Sequence, residues 1–251
     1  PASAVPEAFT FTAPELSFLD LAPARAVAAG GNHLYLAYDQ KVTAVDILNP
    51  EDPEASYYAL DLGAEADEVA AASSDRLLVA AGGVVRLIDV SDRDQPEEIT
   101  AISLPAETRV EQIEVSGRLA YLRTDTSGVL LLDLERPGFP LVGRLEIDGS
   151  TIERIGLSGK AVIAVVDTDG NEEIQLRDPG DPLFPLLGTI ESDADLYDIA
   201  VWGETAAFTS DTGLYLYDIG DPQSPEFRGY RGGFYQGVEL KGGLALAGGS
   251  I

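Results

Sequence analysis

The chain of 251 residues contains no cysteine, no methionine and a single histidine. The absence of cysteine excludes a disulfide framework, a thiolate nucleophile, an iron–sulfur cluster and a thiolate zinc site. One histidine also excludes a His-rich metal site. Lysine is scarce as well, with three residues against thirteen arginines.

Basic residues are heavily outnumbered, since 16 Lys plus Arg face 43 Asp plus Glu and give a net charge of −27. Proteins that bind nucleic acid or anionic membranes need clustered basic residues, so both classes are excluded. No apolar run approaches the roughly 20 residues of a membrane span. With 45% hydrophobic residues, the composition indicates a folded core under an acidic surface. A protein partner is therefore expected to be basic or bridged by divalent cations.

A short motif recurs about every 43 residues, in which an apolar segment ends in Asp and a Pro follows seven positions later. The aspartates are Asp46, Asp89, Asp133, Asp178 and Asp218. The prolines are Pro53, Pro96, Pro140, Pro185 and Pro225. Such an Asp is expected to accept backbone N–H bonds in the turn that it begins, while Pro fixes φ. A period in the forties is typical of propellers and repeat arrays.

Each repeat divides into four β-rich runs, which we label strands a to d. In the third repeat they are Val110–Val115, Leu119–Arg123, Val129–Leu134 and Leu141–Ile147. A small residue such as Gly117 marks the turn between strands a and b. Short strands that are apolar on both faces are typical of propeller blades, which stack between similar sheets. The fourth repeat departs from the pattern, because Arg177 and Pro179 flank its Asp, and we expect its strand c to be frayed or displaced to an edge.

The number of motifs predicts an all-β fold, a six-bladed β-propeller with four-stranded antiparallel blades and a single domain over residues 1–251. Five complete motifs account for five blades. Residues 232–250 supply strands a and b of the sixth blade, and residues 7–21 supply strands c and d. The last blade is thus expected to be closed from both chain termini.

The Asp-x-x-x-Pro-x-x-Pro module, followed by a small-residue turn and a Tyr-containing strand, resembles the LVIVD repeat family over nearly the whole chain. The resemblance implies a propeller-type protein outside the cytoplasm, extracellular or periplasmic, without shared catalytic residues. The first residues, Pro1–Pro6, are expected of a processed or trimmed chain, and secretion would account for them. The sequence therefore favours a non-catalytic binding or scaffold propeller within a larger surface or periplasmic assembly.

Aromatic residues indicate where a partner would bind. Tyr197 and Asp198, with Asp195 before them, lie in the same d-to-a loop position as Phe234 and Tyr235 of the next repeat. Such aromatics in loops are typical of interfaces. The d-to-a and b-to-c loops emerge together on one end of a propeller, which we call the upper face, and we expect recognition there.

Two sets of oxygen ligands suggest metal sites. Asp167, Asp169, Asn171 and Glu173 alternate around Gly170, a pattern that suits calcium, although Asp-Gly-Asn equally favours a hairpin turn. Glu68, Glu111 and Glu153 open strand a in three neighbouring repeats, by alignment to the small-residue turn. They would place a cation at the mouth of the channel, as a metal-assisted propeller hydrolase or lactonase requires. An acidic mouth without metal is the alternative, and we assign no catalytic residue and no cofactor other than this candidate calcium.

Overall fold

The computed structural model describes residues 24–48, 54–105, 108–126, 128–192 and 194–249, with only the backbone for residues 54–59. All regular elements in these ranges are β-strands, which form five four-stranded antiparallel sheets and one two-stranded sheet. None of the described segments is a helix that could span a bilayer. The sheets are blades 1 to 6 in chain order, and strands a to d follow one another across each complete blade.

The strand bounds follow the repeats. Blade 1 contains β1 (Ala26–Gly30), β2 (His33–Tyr38), β3 (Lys41–Asp46) and β4 (Glu54–Asp61). Blade 2 contains β5 (Ala66–Ser73), β6 (Arg76–Ala81), β7 (Val84–Asp89) and β8 (Glu97–Ser103). Blade 3 contains β9 (Val110–Ser116), β10 (Leu119–Thr124), β11 (Gly128–Asp133) and β12 (Leu141–Leu145). Blade 4 contains β13 (Thr151–Leu157), β14 (Val162–Thr168), β15 (Asn171–Arg177) and β16 (Leu186–Glu191). Blade 5 contains β17 (Leu196–Trp202), β18 (Thr205–Ser210), β19 (Gly213–Asp218) and β20 (Glu226–Gly232). Blade 6 contains β21 (Gly237–Lys241) and β22 (Leu244–Gly248).

The repeated aspartates act as predicted. In every repeat, an Asp Oδ1 accepts a hydrogen bond from the backbone N–H two residues later. The acceptors and donors are Asp46 and Leu48 at 2.7 Å, Asp89 and Ser91 at 2.8 Å, Asp133 and Glu135 at 3.2 Å, Asp178 and Gly180 at 2.8 Å, and Asp218 and Gly220 at 2.8 Å. The carboxylate thus begins the c-to-d turn and ends strand c in each of blades 1 to 5.

Strand c of the fourth repeat is regular, so the expectation that it would be frayed or displaced is wrong. β15 pairs with β14 on one side and β16 on the other. The Arg177 guanidinium donates to Gln175 Oε1 at 2.5 and 2.9 Å and to the Phe184 carbonyl at 2.9 Å, so three of its nitrogens have acceptors within the blade. Pro179 lies beyond the strand, where it removes no hydrogen bond from the ladder.

The core consists of five apolar clusters, one between each pair of consecutive blades from 1 to 6. Blade 3, for example, packs Leu122 and Leu132 against blade 2 and Leu131 against blade 4. In the described ranges, no corresponding cluster joins blade 6 to blade 1. Strands a of successive blades contact one another in the order β1, β5, β9, β13, β17 and β21. Strands a are therefore the elements through which neighbouring blades contact one another along the series.

The c-to-d turns of blades 4 and 5 pack on strand d of the preceding blade, and a glycine provides the space in both cases. Gly143 of β12 faces the Phe184 ring, which a Cβ at Gly143 would approach to 3.7 Å. Gly188 of β16 is the corresponding residue in blade 4, because it pairs with Leu176 as Gly143 pairs with Leu131. A Cβ at Gly188 would overlap the backbone carbonyl of Pro222.

Gly188→Ala should therefore lower the free energy of unfolding by about 1–3 kcal/mol, since the turn at Pro222 must move away. Gly159→Ala is the matched control, because no atom lies within 4 Å of a Cβ there. The control should change stability by less than about 0.5 kcal/mol. Chemical denaturation of both variants measures the difference, and equal stability would contradict the close approach of blades 4 and 5.

Candidate functional site

The predicted aromatic residues meet on the upper face, between blades 5 and 6. The Tyr197 and Phe234 rings contact edge to face, with centroids 5.6 Å apart and an interplanar angle of 61°. Phe234 is exposed and Tyr197 is half-buried. Arg231 Nε donates to the Tyr235 hydroxyl oxygen at 3.3 Å. These residues, the aromatic pair Tyr197–Phe234 with Tyr235 beside it, form one small surface that carries apolar rings and a cation.

The two acidic residues predicted beside them differ in their surroundings. Asp195 is exposed in the d-to-a loop. Asp198 accepts the Ile199 N–H at Oδ1 and the Val238 N–H at Oδ2, both at 2.9 Å. Asp198 therefore connects β17 to β21, and its carboxylate already has two partners within the fold.

The Asp167–Glu173 segment forms a tight hairpin between β14 and β15. Asp169 and Gly170, at φ 53° and 82°, are its two central residues, as a type I′ turn requires. Asp167 Oδ1 accepts the Gly170 N–H at 2.7 Å, and Asn171 Nδ2 donates to the Thr168 carbonyl at 3.3 Å. These bonds account for the segment as a hairpin, and calcium binding stays a prediction.

The three carboxylates predicted at the channel mouth take different partners. Glu111 forms an ion pair with Arg123, with Oε2 and Nη1 2.6 Å apart. Glu68 Oε1 accepts the Val69 N–H at 2.9 Å, and burial raises the pKa of Glu68. Glu153 is half-buried. In the described part of the chain, no three His, Asp or Glu side chains are arranged to hold a metal ion.

Glu114 is the centre of a second group of acids, which lie on strands a of several blades. Burial raises the pKa of Glu114 to about 7. The hydrogen bond that Gln112 Nε2 donates to Glu114 Oε1 at 3.1 Å lowers the pKa but does not offset the effect of burial. The charges of Glu239, Glu68 and Asp198 raise the pKa further. These four residues lie on strands a of blades 2, 3, 5 and 6. Carboxylates from three other blades therefore lie close enough for their charges to repel that of Glu114.

Glu114 and Glu239 were not predicted from the sequence. Both lie three residues before the turn glycine of their repeat, Gly117 and Gly242, whereas the predicted channel-mouth residues lie six residues before the turn. Comparing every position of strand a across the repeats would have found them.

Comparisons with known proteins support the fold. No family model matches the chain. No curated protein is significantly similar to it in sequence. The chain is similar in structure to the β-propeller domain of Cps50 (Swd1) from Myceliophteria thermophila, with a TM-score of 0.63, 14% identity, and coverage of 86% of this chain and 76% of that chain. The chain therefore has a β-propeller fold, built from four-stranded antiparallel blades.

Glu114 should make stability depend on pH. Because its pKa is about 7 in the folded state against an ordinary value of 4.5, the folded state holds the proton more tightly. The free energy of unfolding should fall as pH rises from about 4.5 to 7 and then stay level. Glu114→Gln should leave stability unchanged below pH 4.5 and raise it by up to about 3 kcal/mol above pH 7.

Denaturant titrations at several pH values measure this difference. Glu97→Gln, at an exposed carboxylate on the outer strand of blade 2, is the matched control and should follow the parent at every pH. A Glu114→Gln difference that does not vary with pH would contradict the raised pKa.

Proposed function

We propose that the chain is a non-catalytic binding or scaffold propeller, a protein-interaction subunit of a larger extracytoplasmic assembly. The observation that carries this proposal is the aromatic pair Tyr197–Phe234 on the upper face. Tyr197 lies at the start of β17 in blade 5, and Phe234 lies in the short loop that leads into β21 of blade 6. An exposed aromatic ring such as Phe234, packed against a second ring, is a typical anchor of protein interfaces. The location outside the cytoplasm rests on the resemblance of the Asp–Pro module to LVIVD repeats.

The proposal includes a closed ring of six blades, in which residues 7–21, which lie outside the described residues, supply strands c and d of blade 6. Apolar side chains on both sides of the gap support closure. Leu244 and Leu246 of β22 are 70% and 71% exposed, on the face of blade 6 that points away from blade 5. Val27 of β1 is 58% exposed, on the face of blade 1 that points away from blade 2. Packing these faces together would create the sixth interblade cluster.

Gly229 of β20 supports the same closure. It pairs with Leu216 as Gly188 pairs with Leu176, so it occupies the position against which the next c-to-d turn packs. No described atom lies within 4 Å of a Cβ at Gly229. A c-to-d turn contributed by residues 7–21 would occupy this space, as the turn at Pro222 does for Gly188.

The charge of the upper face indicates the partner's chemistry. Exposed acids in its loops include Glu65, Asp125, Glu191 and Asp195, and the whole chain carries −27. A basic partner, or one bridged by divalent cations, would meet a favourable potential there. Its association should weaken steeply as salt shortens the Debye length.

Peptide display against the immobilised chain tests the proposed function. Peptides selected from a random library should be enriched in Lys and Arg and should bind more weakly at high salt. The double variant Tyr197→Ala with Phe234→Ala should weaken their binding at least about tenfold, as loss of an aromatic anchor does.

Leu183→Ala is the control, because Leu183 is exposed in the c-to-d turn of blade 4, on the opposite face. It should leave binding unchanged. Peptides without basic enrichment, or binding lost in the Leu183 variant and kept in the aromatic one, would show that the proposed face or partner class is wrong.

A further inference from the structure

A cleft of about 270 Å³ opens between blades 4 and 5. Its floor is apolar and includes Ile174 and Ile190 from blade 4 with Leu196 and Phe208 from blade 5, all of which are buried. Its rim includes the d-to-a loop at Glu191 and Ser192, so it opens on the upper face. The neighbouring aromatic pair Tyr197–Phe234 is a separate surface, because it lies on the blade 6 side of blade 5.

Aromatic rings form the blade 5 wall of the cleft. Phe208, Tyr215 and Tyr230 stand opposite one another on β18, β19 and β20, so they share one face of the sheet. The Tyr215 and Tyr230 centroids are 4.9 Å apart, and Tyr217 contacts Phe227 edge to face at 5.5 Å. Tyr230 and Phe227 are 53% and 56% exposed. The aromatic wall thus continues from the cleft to the outer edge of the blade.

Hydrogen bonds hold this wall in place without a ligand. The Tyr230 hydroxyl donates to the Thr212 carbonyl at 2.8 Å, and the Tyr215 hydroxyl lies 2.8 Å from Thr212 Oγ1. The hydroxyl groups of both tyrosines are therefore engaged at the b-to-c turn. The ring faces are preorganised for a ligand.

The charge at the rim is negative. Of the described residues that line the cleft, Glu191 alone is charged. The next acids are Asp195 in the same loop and Glu172, whose Oε2 accepts the Leu196 N–H at 2.5 Å. An aromatic wall beside a carboxylate attracts a cation, because the ring face and the carboxylate are both negative.

We propose that this cleft binds the cationic side chain of an arginine or lysine on the partner. The aliphatic stem would pack along the floor at Ile174, Ile190 and Leu196, while the charged head stays at the rim between the Tyr215 ring and Glu191. A head kept at the rim avoids the cost of burying an unpaired charge. The inference rests on the proposed function, since it names the contact that a basic partner would make.

NMR titration of the full chain tests this inference with N-acetyl-arginine amide and its neutral analogue N-acetyl-citrulline amide. The arginine probe should shift resonances around Tyr215 and Glu191. The citrulline probe should bind at least about tenfold more weakly, because it lacks the charge. Glu191→Gln and Tyr215→Leu should each raise the Kd of the arginine probe by about tenfold.

Two controls are matched to these variants. Glu97→Gln removes an exposed carboxylate on blade 2, and Tyr38→Leu removes a half-buried ring on blade 1. Both should keep the parent Kd. If Tyr215→Leu disturbs folding, the exposed Glu191→Gln still decides. Equal binding of the two probes would overturn the inference. So would a Glu97→Gln variant that loses as much affinity for the arginine probe as Glu191→Gln does, because that result indicates a diffuse attraction to the acidic surface.

The probe titration needs no partner, so the two proposals fail separately. Selected peptides that depend on Tyr197 and Phe234, together with no arginine site in the cleft, would overturn this inference alone. An arginine site in the cleft, without basic peptides that bind the upper face, would overturn the proposed function. In the peptides that bind, each Arg can be replaced by citrulline and each Lys by norleucine. One such replacement should weaken binding to the parent protein but leave binding to the Glu191→Gln variant unchanged.

Discussion

Blades 2 to 5 each present two apolar faces and pack on a neighbouring blade on either side. In blade 3, Leu132 belongs to the cluster shared with blade 2, while Leu131, the adjacent residue of the same strand, belongs to the cluster shared with blade 4. A sheet of this kind cannot face water on one side without exposing large apolar area. The stacking of blades thus determines where every strand, turn and loop of the protein lies.

The same stacking distinguishes the c-to-d turns, which hold neighbouring blades together, from the loops of the upper face. The c-to-d turns are constrained by an Asp that accepts the backbone N–H and by close packing on the preceding blade, as at Gly188. The loops of the upper face share a backbone bond where strand d ends, as from the Leu62 N–H to the Gln40 carbonyl at 2.8 Å and from the Leu104 N–H to the Gly83 carbonyl at 2.9 Å. They carry acids and aromatics whose positions come from the rigid strands below. The two proposed binding sites accordingly lie where two blades meet, beside Tyr197 and Phe234 and in the cleft lined by Tyr215.

Repeated features were predictable from the sequence, whereas features formed across blades were not. The Asp–Pro period identified the strands and the turn role of residues such as Asp133, because each feature recurs at one spacing. Arg177 misled the prediction for strand c, since its hydrogen bonds within blade 4 cannot be read from sequence. The raised pKa of Glu114 depends first on burial between blades and then on carboxylates more than 40 residues away, including Glu239. The cleft likewise exists only when blade 4 covers Tyr215.

Closure of the ring is tested most directly by chemical cross-linking, because the chain has no cysteine of its own. Asn32→Cys with Lys241→Cys places thiols at the a-to-b turns of blades 1 and 6, and Ser73→Cys with Arg118→Cys places them equivalently in adjacent blades 2 and 3. A short bismaleimide should link both pairs within one chain at similar rates. Linkage of the control pair in blades 2 and 3, without linkage of the pair in blades 1 and 6, would contradict a six-bladed ring.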